Sequence, residues 1–355
     1  MDSKHIKKQP GSFEWWYFDA VDIHDKYRLV IIFYEGIPFS TKYINSFKKE
    51  TSSDQALAHA HPGMSISVYD RDTTIYYSLS EFKGDDCEFA VDRVFIRIGQ
   101  STLKGEIKDK QRVFYLNLDE TLPCGDHIES DLTFFSHETP TATMESEVEN
   151  GHKWFILQSQ AAVQGSVFIQ TKGKGENKID FLGQGYHDHN FGNKPLHEMT
   201  GWYWGRFHFP NGTFIFYKTD DKEDNKSIGW WIDENGEMIH SFSLIMLDDY
   251  SFNPFLLKTA RRLQFKIDEH NYPEIEINLI DSVDSGPFYQ RFIAEAIAHF
   301  PGYPAIQRTS GIAEYIKPNR IQKKIFWPLI HMRYRYVDDK THAVQRIASL
   351  YRLTW

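Results

Sequence analysis

Apolar and polar residues alternate with period two along much of this chain, as in GMSISVYD at 63–70, RVFYLNLDE at 112–120, IESDLTFFSHE at 128–138 and EIEINLID at 274–281. Alternation of this kind puts every second side chain on one face of an extended backbone, so each segment reads as a half-buried β-strand. Turn-forming clusters cut the pattern at short intervals: KGDD at 83–86, LPCGD at 122–126, TKGKGENK at 171–178, FPNG at 209–212 and DENGE at 233–237. Many short strands with such punctuation form a sandwich or a barrel. Helical periodicity is scarce. YQRFIAEAIAHF at 289–300, ending before Pro301 and Gly302, is the best helix candidate, and SSDQALAHA at 52–60 reads as a helical turn.

An internal echo groups the strands. EWWYFDAVDIHDKYRLVIIFY at 14–34 and GWYWGRFHFPNGTFIFY at 201–217 both run aromatic cluster, strand, tight turn, strand, aromatic pair. Each looks like the opening hairpin of one barrel. The expectation is therefore an all-β chain with little helix, made of two antiparallel β-barrel domains packed together, 1–195 and 196–355. A length of 355 residues accommodates both.

Against this background the row GYHDHNFG at 185–192 stands out, because it sets five polar or titratable groups between the apolar IDFL and the aromatic GWYWGRF. On a strand over 179–190, Tyr186, Asp188 and Asn190 face one side and His187 and His189 the other. A buried carboxylate is costly unless it pairs with a cation, accepts several hydrogen bonds or stays protonated. In the last state Asp188 is an acid, and a carboxyl kept neutral by an aromatic pocket delivers a proton at neutral pH. Tyr186 would orient it or hold a water. The competing reading is a hydrogen-bond clasp for backbone groups. His187 and His189 have the spacing of two metal ligands on a strand, but no CxxC or HExxH run accompanies them, so structural histidines and no metal are expected.

Trp202 and Trp204 share one face of their strand with Tyr203 opposite, and Trp16 shares a face with Phe18. Such clusters pack a barrel core, or they line a cavity that grips a polyene and stabilises a carbocation by about 0.5–2 kcal/mol per ring. With 27 Phe, 19 Tyr and 9 Trp, the chain has aromatic surface to spare for a large apolar ligand. No GxSxG elbow, Walker A loop or GxGxxG on a βαβ unit occurs, and no cofactor is expected. A net charge of −9 argues against nucleic acid as a partner. Two cysteines, no apolar leader and no run of about 18 apolar residues read as a cytoplasmic protein. The stretch KPNRIQKKIFWPLIHMRYR at 317–335 holds six Lys or Arg and no acid, a composition suited to peripheral contact with an anionic membrane; the alternative is a solvated strand or loop near the end of the second barrel.

FEWWYFDA at 13–20, GQGYHDHNFG at 183–192, GWYWGRF at 201–207 and GIAEYIKP at 311–318 together resemble the carotenoid 1,2-hydratases of hydroxyneurosporene synthase type and their AttH-like relatives, which include fungal Diels–Alderases. The resemblance implies two lipocalin-like (calycin-type) barrels with a hydrophobic polyene or isoprenoid held in or between them. It also implies cofactor-independent addition of water to a terminal double bond, with Tyr186 and Asp188 catalytic. The substrate-binding residues expected beside them are Trp202, Trp204, Tyr203, Trp16, Phe18, Asn190, His187 and His189. A cyclase or pericyclase on a polyene, or a non-catalytic hydrophobic-ligand carrier, are the alternatives. Upstream the hydratases carry further candidate His and Trp residues, with which WFILQSQAAVQGS at 154–166 does not align.

Overall fold

The computed structural model describes every residue except 1, 6, 8, 50–53, 138–143, 148–151, 220–226, 234, 268–274, 300–305 and 355. The fold is all-β and lipocalin-like, and the chain divides into two compact units, Met1–Leu196 with Lys323–Thr354, and His197–Gln322.

The second unit is a closed barrel of eight antiparallel strands in sequence order, in which the last strand, Gln307–Ile316, pairs back onto the first, Trp202–Phe209. Alternation fills it as the sequence pattern requires, with Phe207, Phe214, Phe216, Phe265 and Phe292 inside. YQRFIAEAIA, expected as a helix, is instead the strand Tyr289–Ala298, hydrogen-bonded on both sides. Its Phe292, Ala294, Ala296 and Ala298 are buried at every second position. The small residues fit the crowded barrel interior, and pairing on two edges overrides the helix propensity of Ala and Glu.

The first unit is a large curled sheet of thirteen strands. Its middle is formed by Tyr27–Glu35, Phe13–Asp22, Gly175–Gly192 and His152–Thr171, in that spatial order. Trp16, Phe18, Phe33, Ile66, Leu116 and Phe134 belong to its core. Both echoing segments are hairpins, Phe13–Asp22 with Tyr27–Glu35 and Trp202–Phe209 with Gly212–Thr219. The helical turn expected at 52–60 is two short 3-10 turns, Asp54–Ala56 and Ala58–Ala60, with 52 and 53 outside the described residues.

The basic stretch 317–335 is mostly helical: the 3-10 turns Pro318–Gln322 and Lys324–Phe326, then the helix Trp327–Arg333. From Lys323 onward the chain packs with the first unit, where Arg335–Tyr336 adds a short parallel strand to the sheet edge beside Ser80 and Glu81. No helix among the described residues is long and apolar enough to cross a membrane.

Candidate active site

The polar row closes the strand Gly175–Gly192. The outer half of that strand alternates, with Ile179 and Phe181 buried between exposed neighbours, but from Gly185 to Asn190 both faces are buried. Phe13–Asp22 lies on one edge and His152–Thr171 on the other, the latter with register shifts between Ile156 and Ala161. Bulges of this kind re-aim side chains next to functional sites. Once both faces are covered, every polar side chain must find its partner inside the protein. Two separate clusters result.

On the first face Asp188, 4% exposed, is surrounded by donors. Its Oδ2 accepts from the Tyr186 hydroxyl at 2.8 Å and from the Trp154 indole N–H at 2.8 Å, and its Oδ1 accepts from the Asn190 amide at 2.7 Å. Trp154 is opposite Asn190 in the strand register, and Ile156 opposite Asp188, so the indole reaches diagonally across the ladder. His152, two residues before Trp154 and on the same face, donates from Nε2 to Asn190 Oδ1 at 3.0 Å. That bond orients the amide, leaving the Asn190 NH₂ to face Asp188. Burial pushes the His152 pKa down to about 4, so the ring is neutral, and its Nδ1 lone pair has no hydrogen-bond partner among the described residues. Burial, and then the charge of Asp188, raises the Tyr186 hydroxyl well above its ordinary value, so that it stays a donor. The Tyr17 ring meets Tyr186 edge-on at 6.2 Å.

The second face is ionic. His187 stacks on Phe18 at 3.8 Å and 4°, and His189 on Trp16 at 4.6 Å and 16°. An N-terminal arm closes over them. Asp2 contacts His187 Nε2 at 2.9 Å and His189 Nδ1 at 2.7 Å, and its carbonyl accepts from Trp16 Nε1 at 3.1 Å. His189 Nε2 donates to Glu14 at 2.7 Å; Glu14 also takes His5 at 2.8 Å and the Lys7 ammonium, which reaches on to Glu35 at 3.1 Å. Burial works against the His189 charge, but Asp2 and Glu14 outweigh it and raise its pKa to about 9. Burial likewise opposes the Asp2 charge, and His189 and His187 overcome it, lowering its pKa to about 2. Glu14 is held well below the usual carboxylate range by His189, His5 and Lys7 against the same penalty. Burial lowers His187, whose Nδ1–H donates to the Tyr17 carbonyl at 2.9 Å. The ligand atoms of His5, Glu14 and His189 lie within 4.8 Å of one another, near enough to hold a cation, yet they are already bonded to one another with Lys7 against the carboxylate. The arrangement is a clamp on the arm.

The structure thus brings Tyr186, Asp188 and Asn190 together and gathers His187, His189, Trp16 and Phe18 on the opposite face. In the second unit Tyr203 points into the barrel, stacked on Tyr315 at 4.3 Å, its oxygen accepting from the Ala260 N–H at 2.9 Å. Trp202 stacks on Tyr217 at 6.3 Å, and Trp204 is buried. Sequence reasoning misses His152 and Trp154, which stand just before and at the start of the stretch that does not align with the hydratases. The alternation of HKW at 152–154 was the available signal, but only strand pairing shows that it meets Asp188.

The family model of the carotenoid hydratase CrtC matches residues 51–341. The chain is 24% identical over 338 residues to a hydroxyneurosporene dehydrogenase of Chlorobaculum tepidum, covering 90% of this chain and 86% of that protein. Among solved structures, CghA with Sch210972 superposes with a TM-score of 0.59 at 11% identity, covering 89% of this chain and 94% of CghA. Kievitone hydratase of Nectria haematococca gives 0.54 at 12%, covering 89% and 96%.

Proposed function

Because the chain belongs to the carotenoid hydratase family, we propose that it adds water to an electron-rich double bond of a hydrophobic polyene, with Asp188 as the proton donor. The observation that carries this reading is a carboxyl whose burial favours the neutral, proton-bearing form, with three donors placed to receive the charge once the proton leaves. As the Asp188 O–H bond breaks, the alkene π pair forms a C–H bond, a tertiary carbocation appears on the neighbouring carbon, and negative charge grows on the carboxylate. Tyr186, Trp154 and Asn190 already point at that charge, so the site stabilises it without reorganising. The Trp154 indole, held beside the acid by its own N–H, offers a π-face to the cation. Water then attacks the cation. The Nδ1 lone pair of neutral His152 is the acceptor for the proton that water releases, and return of that proton to Asp188 completes an alkene-to-alcohol conversion with no net proton change.

Asp188→Asn keeps the side-chain shape and removes the proton. Turnover of a lycopene-type substrate in that variant should fall at least about a thousandfold, while the fold and substrate binding are retained and the melting temperature drops, because the new amide NH₂ meets a donor where a carboxyl oxygen accepted one. The wild-type product should gain the mass of one water and carry solvent deuterium at the protonated carbon. Full activity of Asp188→Asn would overturn the acid assignment. An isomeric product without solvent deuterium would identify a cyclase, and recovery of unchanged ligand a carrier.

A further inference from the structure

A cavity of about 330 Å³ lies in the first unit between the helix Thr41–Lys49 and the C-terminal segment from Trp327 to Gln345. Its floor is rigid. Thr41 Oγ1 bonds His331 Nε2 and the Tyr336 hydroxyl, each at 2.8 Å, and the Gln345 amide donates to the His331 carbonyl at 2.9 Å. On the wall Lys42 pairs with Asp339 at 2.8 Å and sits 4.3 Å over the Tyr336 ring, so the only carboxylate of the lining is neutralised there.

The remaining polar lining is weighted toward donors. The side chains of Lys340, Asn45 and Thr341 make no hydrogen bond or ion pair among the described residues. His342 accepts from the Val344 N–H at Nδ1, 3.2 Å, which puts its proton on Nε2, where it has no partner among them either. An ammonium, an imidazole N–H, an amide and a hydroxyl around one hollow match a ligand rich in acceptor oxygens and negative charge. Burial lowers the pKa of His331 on the cavity floor, and the nearby His342 and Lys42 lower it further.

We propose that this cavity binds a phosphate group, either the headgroup of an anionic phospholipid or phosphate free in solution. The rim makes the lipid source concrete. Lys323 and Lys324 are exposed and Ile325 is 79% exposed, two residues before Trp327, which lines the cavity. With a headgroup in the hollow, the two lysines would meet other anionic headgroups and Ile325 the acyl boundary.

The full-length protein and a Lys340→Glu, His342→Gln double variant are compared; Lys340 is exposed and His342 half-buried, and circular dichroism checks the fold. Inorganic phosphate should raise the titration midpoint of His331, followed by imidazole NMR, in the wild type, with binding at least about tenfold weaker in the variant. Vesicles of phosphatidylcholine alone and with phosphatidic acid supply the second arm. Flotation with phosphatidic acid that the double variant loses identifies a lipid phosphate; a phosphate response without flotation identifies free phosphate. No response of His331 to phosphate, together with flotation that is absent or equal in both proteins, overturns the proposal.

Discussion

Asp188 receives three hydrogen bonds because the pleat of one strand and the register of the next aim them there. Tyr186 and Asn190 are its i−2 and i+2 neighbours, and Trp154 comes from across the ladder. A hydrogen bond to a charged acceptor is worth about 1.5–3 kcal/mol, so Trp154→Phe, which removes one such donor and keeps a ring, should lower kcat/KM by about tenfold to a hundredfold with little change in stability. Steady-state kinetics on a soluble polyene analogue would show it. His152 adds a pH signature. Its folded pKa of about 4 lies below the unfolded value near 6.5, so the unfolded chain takes up the proton first. The contribution of the neutral ring to stability is complete above about 6.5 and declines as pH falls toward 4. Denaturant melts of wild type and His152→Gln across that range should converge toward the acid end, and a constant difference between them would contradict a buried neutral His152.

At the scale of elements, the N-terminal arm is tied to the sheet by buried charge. His189 has a raised pKa, so its contribution is full below about 6.5 and is lost as pH rises through about 9; Asp2 has a depressed pKa, so its contribution is full above about 3.8 and is lost as pH falls toward 2. Limited proteolysis near residue 7 should therefore be slowest between about pH 4 and 6.5 and accelerate on both sides. Breaking such a network from one side leaves unpaired buried charges, and Glu14→Gln should cost about 3–5 kcal/mol of first-unit stability by equilibrium unfolding. The long strand His152–Thr171 makes a different demand. Gly165 has φ +147, and a Cβ there would lie 1.9 Å from the Asp131 carbonyl oxygen of the neighbouring strand. Gly165→Ala should destabilise the sheet by at least about 2 kcal/mol, visible as a lower Tm.

Across the whole molecule the two units solve the edge problem differently. The eight-stranded barrel closes on itself, whereas the curled sheet carries Arg335–Tyr336 on the edge strand Thr73–Glu81. Around that edge the C-terminal segment is pinned by Tyr334 donating to Glu81 at 2.6 Å, by Arg352 on Asp126 at 2.7 Å and by Tyr351 in the core. Truncation after Gln322 should therefore lower the melting transition of the first unit and leave that of the barrel in place. Calorimetry that shows both transitions shifted equally would contradict this division of labour.

Period-two alternation and turn chemistry determined the all-β class and both opening hairpins, because side-chain direction along a strand is a local property. The same rule separated Tyr186, Asp188 and Asn190 from His187 and His189 before any contact was known. Local rules stop at the edge of the strand. YQRFIAEAIA reads as a helix until two neighbouring strands claim its backbone, and 323–354 reads as a continuation of the second unit until Tyr334, Tyr351 and Arg352 meet the first. His152 and Trp154 come within reach of Asn190 and Asp188 only through a register set by two distant strands and a bulge, and Asp2 reaches His187 across 185 positions of sequence. Those contacts come from pairing between remote segments, which is decided by the packing of the whole sheet.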